Sequence, residues 1–130
     1  MHRLTWVLQI VVGLYFIAIG VMHLVVPDGL PDQLAWMYDL PTWVHVVSGS
    51  AEILGGLGLI LPGLTRIRPE LTPLAAAGLI LVMLGAAGWH LTRGEVQNLG
   101  ANLVMVVVLG FIAWVRWSKH PLPGRTRSAD

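Results

Sequence analysis

Residues 46–61 read VVSGSAEILGGLGLIL, and this stretch decides how the chain folds. It is apolar and rich in glycine, and it holds a single ionisable side chain, Glu52. Moving a carboxyl group out of water costs free energy unless the group finds a polar partner. An ionisable residue inside a long apolar run is typical of a membrane helix that carries a functional site on one face.

The rest of the chain has the same character. Of its 130 residues, 55% are hydrophobic and 12% are charged, whereas soluble domains average about 25% charged residues. A helix needs about 20 apolar residues to cross a bilayer, and four segments reach that length: 5–26, 42–61, 71–91 and 99–117. We predict an all-α fold: a polytopic membrane protein whose single domain, 1–117, is a four-transmembrane-helix bundle. Residues 118–130 are predicted to be a short disordered tail.

Basic residues predict the orientation of this bundle. Seven of the eight lysines and arginines lie before the first segment, between the second and third, or from the end of the fourth onward. The positive-inside rule therefore places both termini in the cytoplasm and the acidic loop 27–41 outside. The first apolar run is longer than the 7–15 residues of a signal peptide core, so it is predicted to remain as the first helix. Seven arginines against one lysine are typical of a GC-rich bacterial genome, and the predicted location is the bacterial inner membrane.

Several kinds of chemistry are excluded by composition. The chain has no cysteine, which excludes disulfides, thiolate catalysis, iron–sulfur clusters and covalent haem attachment. A net charge of +1 gives no reason to expect a nucleic acid partner. Because the four segments use most of the chain, a non-catalytic subunit or binding protein is a better interpretation than a stand-alone enzyme.

Polar residues in the apolar segments gather on the predicted outer side of the membrane. His45, Ser48 and Glu52 are three and four residues apart, so they share one face of the second helix. The first, third and fourth helices add polar groups at a similar depth. The predicted ligand-binding residues are Glu52, His23, His90, Ser48, His45 and Asn102. The alternatives are structural: an interfacial hydrogen bond for His45, interhelical hydrogen bonding for Asn102, and the same for Glu52 as a protonated acid.

Three stretches carry a resemblance to a known family: FIAIGVMHLVVPDG (16–29), LPTWVHVVSGSAEILGGLGLILPG (40–63) and AAAGLILVMLGAAGWH (75–90). They resemble the DoxX-like family of small four-helix bacterial membrane proteins. The family pattern maps onto Gly20, His23, Pro27, Gly49, Glu52, Gly58 and Pro62. The resemblance implies the four-helix fold. It also implies an association with membrane redox systems, since the family is named after a subunit of a thiosulfate:quinone oxidoreductase.

Three functions remain open at this point. The first is a redox-associated membrane subunit or binding protein that holds a quinone or similar lipophilic ligand and receives electrons from a partner protein. The second is a dimeric transporter or lipid carrier in which Glu52 binds a proton or cation. The third is a scaffold or assembly factor without a ligand. Haem held by His23 and His90, or a metal at the histidines, is a weaker alternative, and no metal site is predicted. The expected partners are the lipid bilayer, a membrane redox protein and a homo-oligomer.

Overall fold

The computed structural model describes residues 1–125, and within this range every regular element is helical. Four helices are long and apolar enough to cross a membrane, which confirms the predicted fold class. The helices are α1 (His2–Val25), a short 3-10 helix (Asp32–Asp39), α2 (Thr42–Thr65), α3 (Leu71–Thr92) and α4 (Val96–Trp114). We call Asp32–Asp39 the roof helix, and we call the end of the bundle that it covers the roof end. The opposite end, where α1 begins and α4 ends, is called the terminal end.

α2 runs past a proline at which the sequence suggested that it would stop. Pro62 lies inside the helix, which continues to Thr65. A proline has no N–H, so it cannot donate to the carbonyl four residues earlier. That carbonyl belongs to Gly58, and the hydroxyl of Thr72 on α3 donates to it over 3.1 Å. A neighbouring helix therefore supplies the hydrogen bond that the proline removes.

The chain after α4 packs back on the terminal end. Residues Val115–Lys119 form a π-helical turn that extends α4, and the buried side chain of Leu122 lies beside Gly63 of α2. The N–H of Arg125 donates to the carbonyl of Arg66 over 3.0 Å. The described part of the predicted disordered tail is therefore packed on the bundle. Residues 126–130 lie outside the part of the chain that the structure describes.

Two pairs of glycines bring α1 and α2 into backbone contact. A Cβ atom added to Gly20 would lie 2.7 Å from the carbonyl oxygen of Gly49, and one added to Gly13 would lie 2.9 Å from that of Gly56. No side chain fits at such distances, so these positions allow the helices to approach as only small residues can. The contact between Gly20 and Gly49 fixes His23, one turn after Gly20, beside α2.

An apolar core fills the middle of the bundle. It consists of Val12, Phe16, Leu59, Ala76, Leu79, Met83, Leu109 and Ile112. α1 packs along α2, α2 along α3, and α3 along α4, whereas α1 and α4 touch much less. At the terminal end the buried guanidinium of Arg116 donates to Gln9 and to the carbonyl of His120, and Gln9 donates to the carbonyl of Leu59. Polar groups at this end therefore have protein partners.

Candidate functional site

A cavity of about 620 Å³ occupies the roof end of the bundle. All four long helices and the roof helix contribute to its wall. Phe16 and Met83 belong both to this wall and to the apolar core, so the cavity ends where the core begins. Its size and its mostly apolar wall are typical of a site for a small lipophilic molecule.

Five of the six residues predicted from the sequence line this cavity: His23, Ser48, Glu52, His90 and Asn102. The sixth, His45, lies behind His23 and is bonded to it. The four helices therefore bring the predicted residues together at one place. This convergence could be predicted from the spacing of the polar residues along α2 and from the similar depth of the polar residues on the other helices.

Glu52 is buried in the wall of the cavity, with 3% of its surface exposed. Nε2 of His23 lies 3.7 Å from Glu52 Oε2. Within residues 1–125, no lysine or arginine forms an ion pair with this carboxyl group. The acid can therefore be neutralised only by its own proton or by the imidazole of His23.

His23 and His45 form a buried pair. Their Nδ1 atoms are 2.9 Å apart, and Nε2 of His45 lies 2.8 Å from the carbonyl oxygen of Met37 in the roof helix. His45 thus has two hydrogen-bond partners, more than the single interfacial bond considered as an alternative. It links α1, α2 and the roof helix.

Five buried side-chain polar atoms have no hydrogen-bond partner in the described protein, and all five belong to residues that line the cavity. They are Trp36 Nε1, Glu52 Oε2, Trp89 Nε1, His90 Nδ1 and Asn102 Nδ2. Buried polar groups without a partner are rare because each costs about 1–3 kcal/mol. Their concentration around one cavity indicates a site that presents hydrogen-bonding groups to a bound molecule.

The roof helix and its tryptophan were not identified from the sequence. The ring of Trp36 lies 4.9 Å from the ring of His90 and 5.8 Å from that of His23. The next residue, Met37, is fully buried. An adjacent tryptophan and methionine within an acidic loop were the available signal, since apolar residues in a loop need a surface to pack on. Trp89 of α3 lines the cavity as well.

An ion-pair cluster ties the roof helix to the loop between α3 and α4. Arg93 donates to Asp39, the last residue of the roof helix, and to Glu95. The hydrogen bonds that Arg93 donates to Glu95 and Asp39 raise the pKa of Arg93, and the bond to Glu95 lowers the pKa of Glu95. Glu95 Oε1 also lies 3.6 Å from His90 Nδ1. The two loops at the roof end are therefore connected to a cavity residue.

The cavity reaches the apolar surface of the bundle. Tyr15, Val47 and Leu81 line it, and these side chains are 46%, 61% and 71% exposed on α1, α2 and α3. In a membrane these exposed faces contact lipid. The cavity is therefore open on the face of the bundle that would contact lipid. Among the described residues, no group of three histidine, aspartate or glutamate side chains could hold a metal ion.

Comparison with protein families gives one match, and it covers most of the chain. The model of the DoxX-like family matches residues 7–113. This range includes the glycine contacts of α1 and α2 and all six predicted site residues. No curated protein matches the chain, and no solved structure matches it. With its four apolar helices and a family match over residues 7–113, the chain belongs to the DoxX-like family of membrane proteins.

Proposed function

We propose that this protein is a small integral membrane subunit or binding protein that holds a quinone or a similarly lipophilic molecule in the cavity at the roof end. One observation carries the proposal: all five unpartnered buried polar atoms belong to residues that line the same apolar-walled cavity. A scaffold role accounts for the glycine contacts between α1 and α2, but it leaves these five atoms without an explanation.

The chemistry of the wall fits a ring that bears oxygen atoms. The indole N–H groups of Trp36 and Trp89 and the amide of Asn102 are donors, which suit carbonyl oxygens. Glu52 and His23 would form the polar end of the site, and apolar residues of α2 and α3 would hold the ring and tail. A bound quinone would supply coupled electron and proton chemistry. Its electrons would come from a partner protein in the membrane.

A binding measurement tests this proposal. The purified protein in nanodiscs is titrated with decylubiquinone, a short-chain quinone, and bound molecules are counted by native mass spectrometry. The wild-type protein should bind one molecule per chain. Trp36→Phe keeps an aromatic ring but removes the indole donor, and it should weaken binding by about tenfold, the value of one hydrogen bond.

Trp117→Phe is the matched control, because Trp117 is exposed at the terminal end, far from the cavity. Glu52→Leu should weaken binding more strongly than Trp36→Phe, since it removes the polar end of the site. Glu70→Gln, at an exposed glutamate outside the cavity, should leave binding unchanged. Wild-type protein that binds no decylubiquinone, or Glu52→Leu protein that binds it as wild type does, would refute the proposal.

The proposed location is the bacterial inner membrane, with both termini in the cytoplasm and the roof helix outside. The distribution of basic residues supports this orientation. Because the chain has no cysteine, single cysteines at exposed Asp32 and exposed Glu70 report each end of the bundle without background. An impermeant thiol reagent should label the first in intact spheroplasts and the second only after lysis. The reverse pattern would invert the orientation.

A further inference from the structure

Four buried groups stand in a line from the roof helix to the cavity. The carbonyl oxygen of Met37 lies 2.8 Å from His45 Nε2, and His45 Nδ1 lies 2.9 Å from His23 Nδ1. His23 Nε2 lies 3.7 Å from Glu52 Oε2. All four residues are less than a tenth exposed. Because each imidazole contributes two nitrogens to the line, the position of every proton in it can be worked out.

The protons can be assigned starting from the carbonyl group of Met37, which can only accept a hydrogen bond. His45 Nε2 therefore carries a proton and donates it to Met37. A neutral imidazole has one N–H, so Nδ1 of His45 is an acceptor and the proton between the two rings belongs to Nδ1 of His23. Nε2 of His23 then presents its lone pair to Glu52. The donor that suits this lone pair is the O–H of a carboxylic acid.

The same three protons can be arranged in two other ways. Transfer from Glu52 gives a carboxylate beside a His23 imidazolium, and a second transfer moves the positive charge to His45. Both arrangements separate charge in an apolar interior, which costs free energy, whereas the first separates none. His90 and Tyr15 also line the cavity, but neither forms an ion pair or a hydrogen bond with Glu52.

We infer that His45 is a positioning residue, which fixes the tautomer of His23 so that the unprotonated Nε2 of His23 faces Glu52 at the wall of the cavity. The line ends at a fully buried carbonyl group, that of Met37, and this group cannot pass a proton on. Within the described residues, the line of groups therefore opens only toward the cavity, which both His23 and Glu52 line. The inference rests on the proposed function for its consequence: a ligand in the cavity is the group with which the acid proton of Glu52 can exchange.

The tautomers can be observed directly and without a ligand. Protein labelled with ¹⁵N at histidine is studied by solid-state NMR in lipid bilayers, where protonated and unprotonated ring nitrogens have well-separated shifts. The signals of the five histidines are assigned by single substitutions. We expect a proton on His45 Nε2, none on His45 Nδ1, a proton on His23 Nδ1, and a correlation between the two Nδ1 atoms. A proton on His45 Nδ1, or an unprotonated Nδ1 on His23, would overturn the inference.

Two substitutions of His45 distinguish its positioning of His23 from its anchoring of the roof helix. An asparagine at His45 places a carbonyl oxygen near the position of Nδ1, so it can still accept from His23, but it cannot reach Met37. A glutamine places an amide N–H near the position of Nε2, so it keeps the bond to Met37 and leaves His23 without its acceptor. If His45 positions His23, His45→Asn should bind decylubiquinone within about twofold of wild type and His45→Gln about tenfold more weakly.

The opposite ranking of the two variants would show that His45 only anchors the roof helix, and it would refute the inference. If wild-type protein binds no decylubiquinone while the NMR shifts show the expected tautomers, the proposed function fails and the proton order stands. If wild-type protein binds decylubiquinone but the tautomers are reversed, the inference fails and the proposed function stands. Thermal unfolding of both variants checks that each is folded before its binding is compared.

Discussion

Gly49→Ala should separate α1 from α2 and disrupt the site from a distance. A Cβ atom at this position would lie 2.8 Å from the carbonyl oxygen of Gly20 and 2.9 Å from Cβ of His23, where ordinary contacts begin at 3.4 Å. The helices would have to move apart by roughly 0.6 Å, and overpacking of this kind costs about 1–3 kcal/mol. The bond between His23 and His45 crosses the same interface at 2.9 Å. A shift of that size would stretch it to about 3.5 Å, beyond the usual range of hydrogen bonds.

Two measurements check this prediction. Equilibrium unfolding in mixed micelles containing dodecyl sulfate gives the free energy of unfolding, and ¹⁵N NMR reports the correlation between the two histidines. Gly78→Ala is the matched control, because a Cβ atom at Gly78 meets nothing within 4 Å. The control should be as stable as wild type or gain about 0.5–1 kcal/mol from the better helix propensity of alanine. Gly49→Ala protein that matches this control in stability and keeps the histidine correlation would refute the account of the interface.

Three further substitutions or conditions test other contacts, each by the same unfolding measurement. Thr72→Val should lower the free energy of unfolding by about 1–2 kcal/mol, since it leaves the carbonyl of Gly58 without its donor, and an unchanged value would mean that the helix tolerates the interruption alone. Arg116→Lys should destabilise by about 1–3 kcal/mol even though the charge is kept, because an ammonium group cannot replace the planar fork of donors. Because Arg93 lowers the pKa of Glu95, their pairing stabilises the fold above the ordinary glutamate pKa of 4.5, and the stabilisation is lost as the pH falls through the lowered value in the folded state. The difference in stability between wild type and Glu95→Gln should therefore shrink on acidification, and a difference that grows would contradict this sign.

The long helices could be predicted because the cost of exposing the backbone to lipid leaves few alternatives. An apolar run of about 20 residues must form a helix in a membrane, and the four predicted segments overlap the observed helices over most of their length. The site residues followed from a second constraint. Glu52 could not face lipid without a large cost, so its face of α2 had to point inward, and the histidines at a similar depth on other helices had to approach it.

The parts that were missed depend on tertiary contacts that no periodicity records. The roof helix is held by the buried side chain of Met37 and by the hydrogen bond that Arg93, distant in sequence, donates to Asp39. Tryptophan is common at membrane interfaces, and only the position of Trp36 between two histidine rings places it in the site. The course of α2 beyond Pro62 likewise depends on a hydroxyl supplied by α3.

Buried polar groups have protein partners at the terminal end of the bundle, whereas several at the roof end have none. At the terminal end Arg116 and Gln9 are buried, and the bonds between them and to backbone carbonyls satisfy their charge-bearing and amide groups. At the roof end the indole of Trp36 and the amide of Asn102 remain without protein partners, although a phenylalanine and a leucine would fill similar space without that cost. The polar groups at the roof end therefore depart from the most stable arrangement, whereas those at the terminal end do not. Such local departures are expected at functional sites. A molecule with matching oxygen atoms in the cavity would recover this cost, and the unpartnered atoms are therefore the observation that supports the proposed ligand.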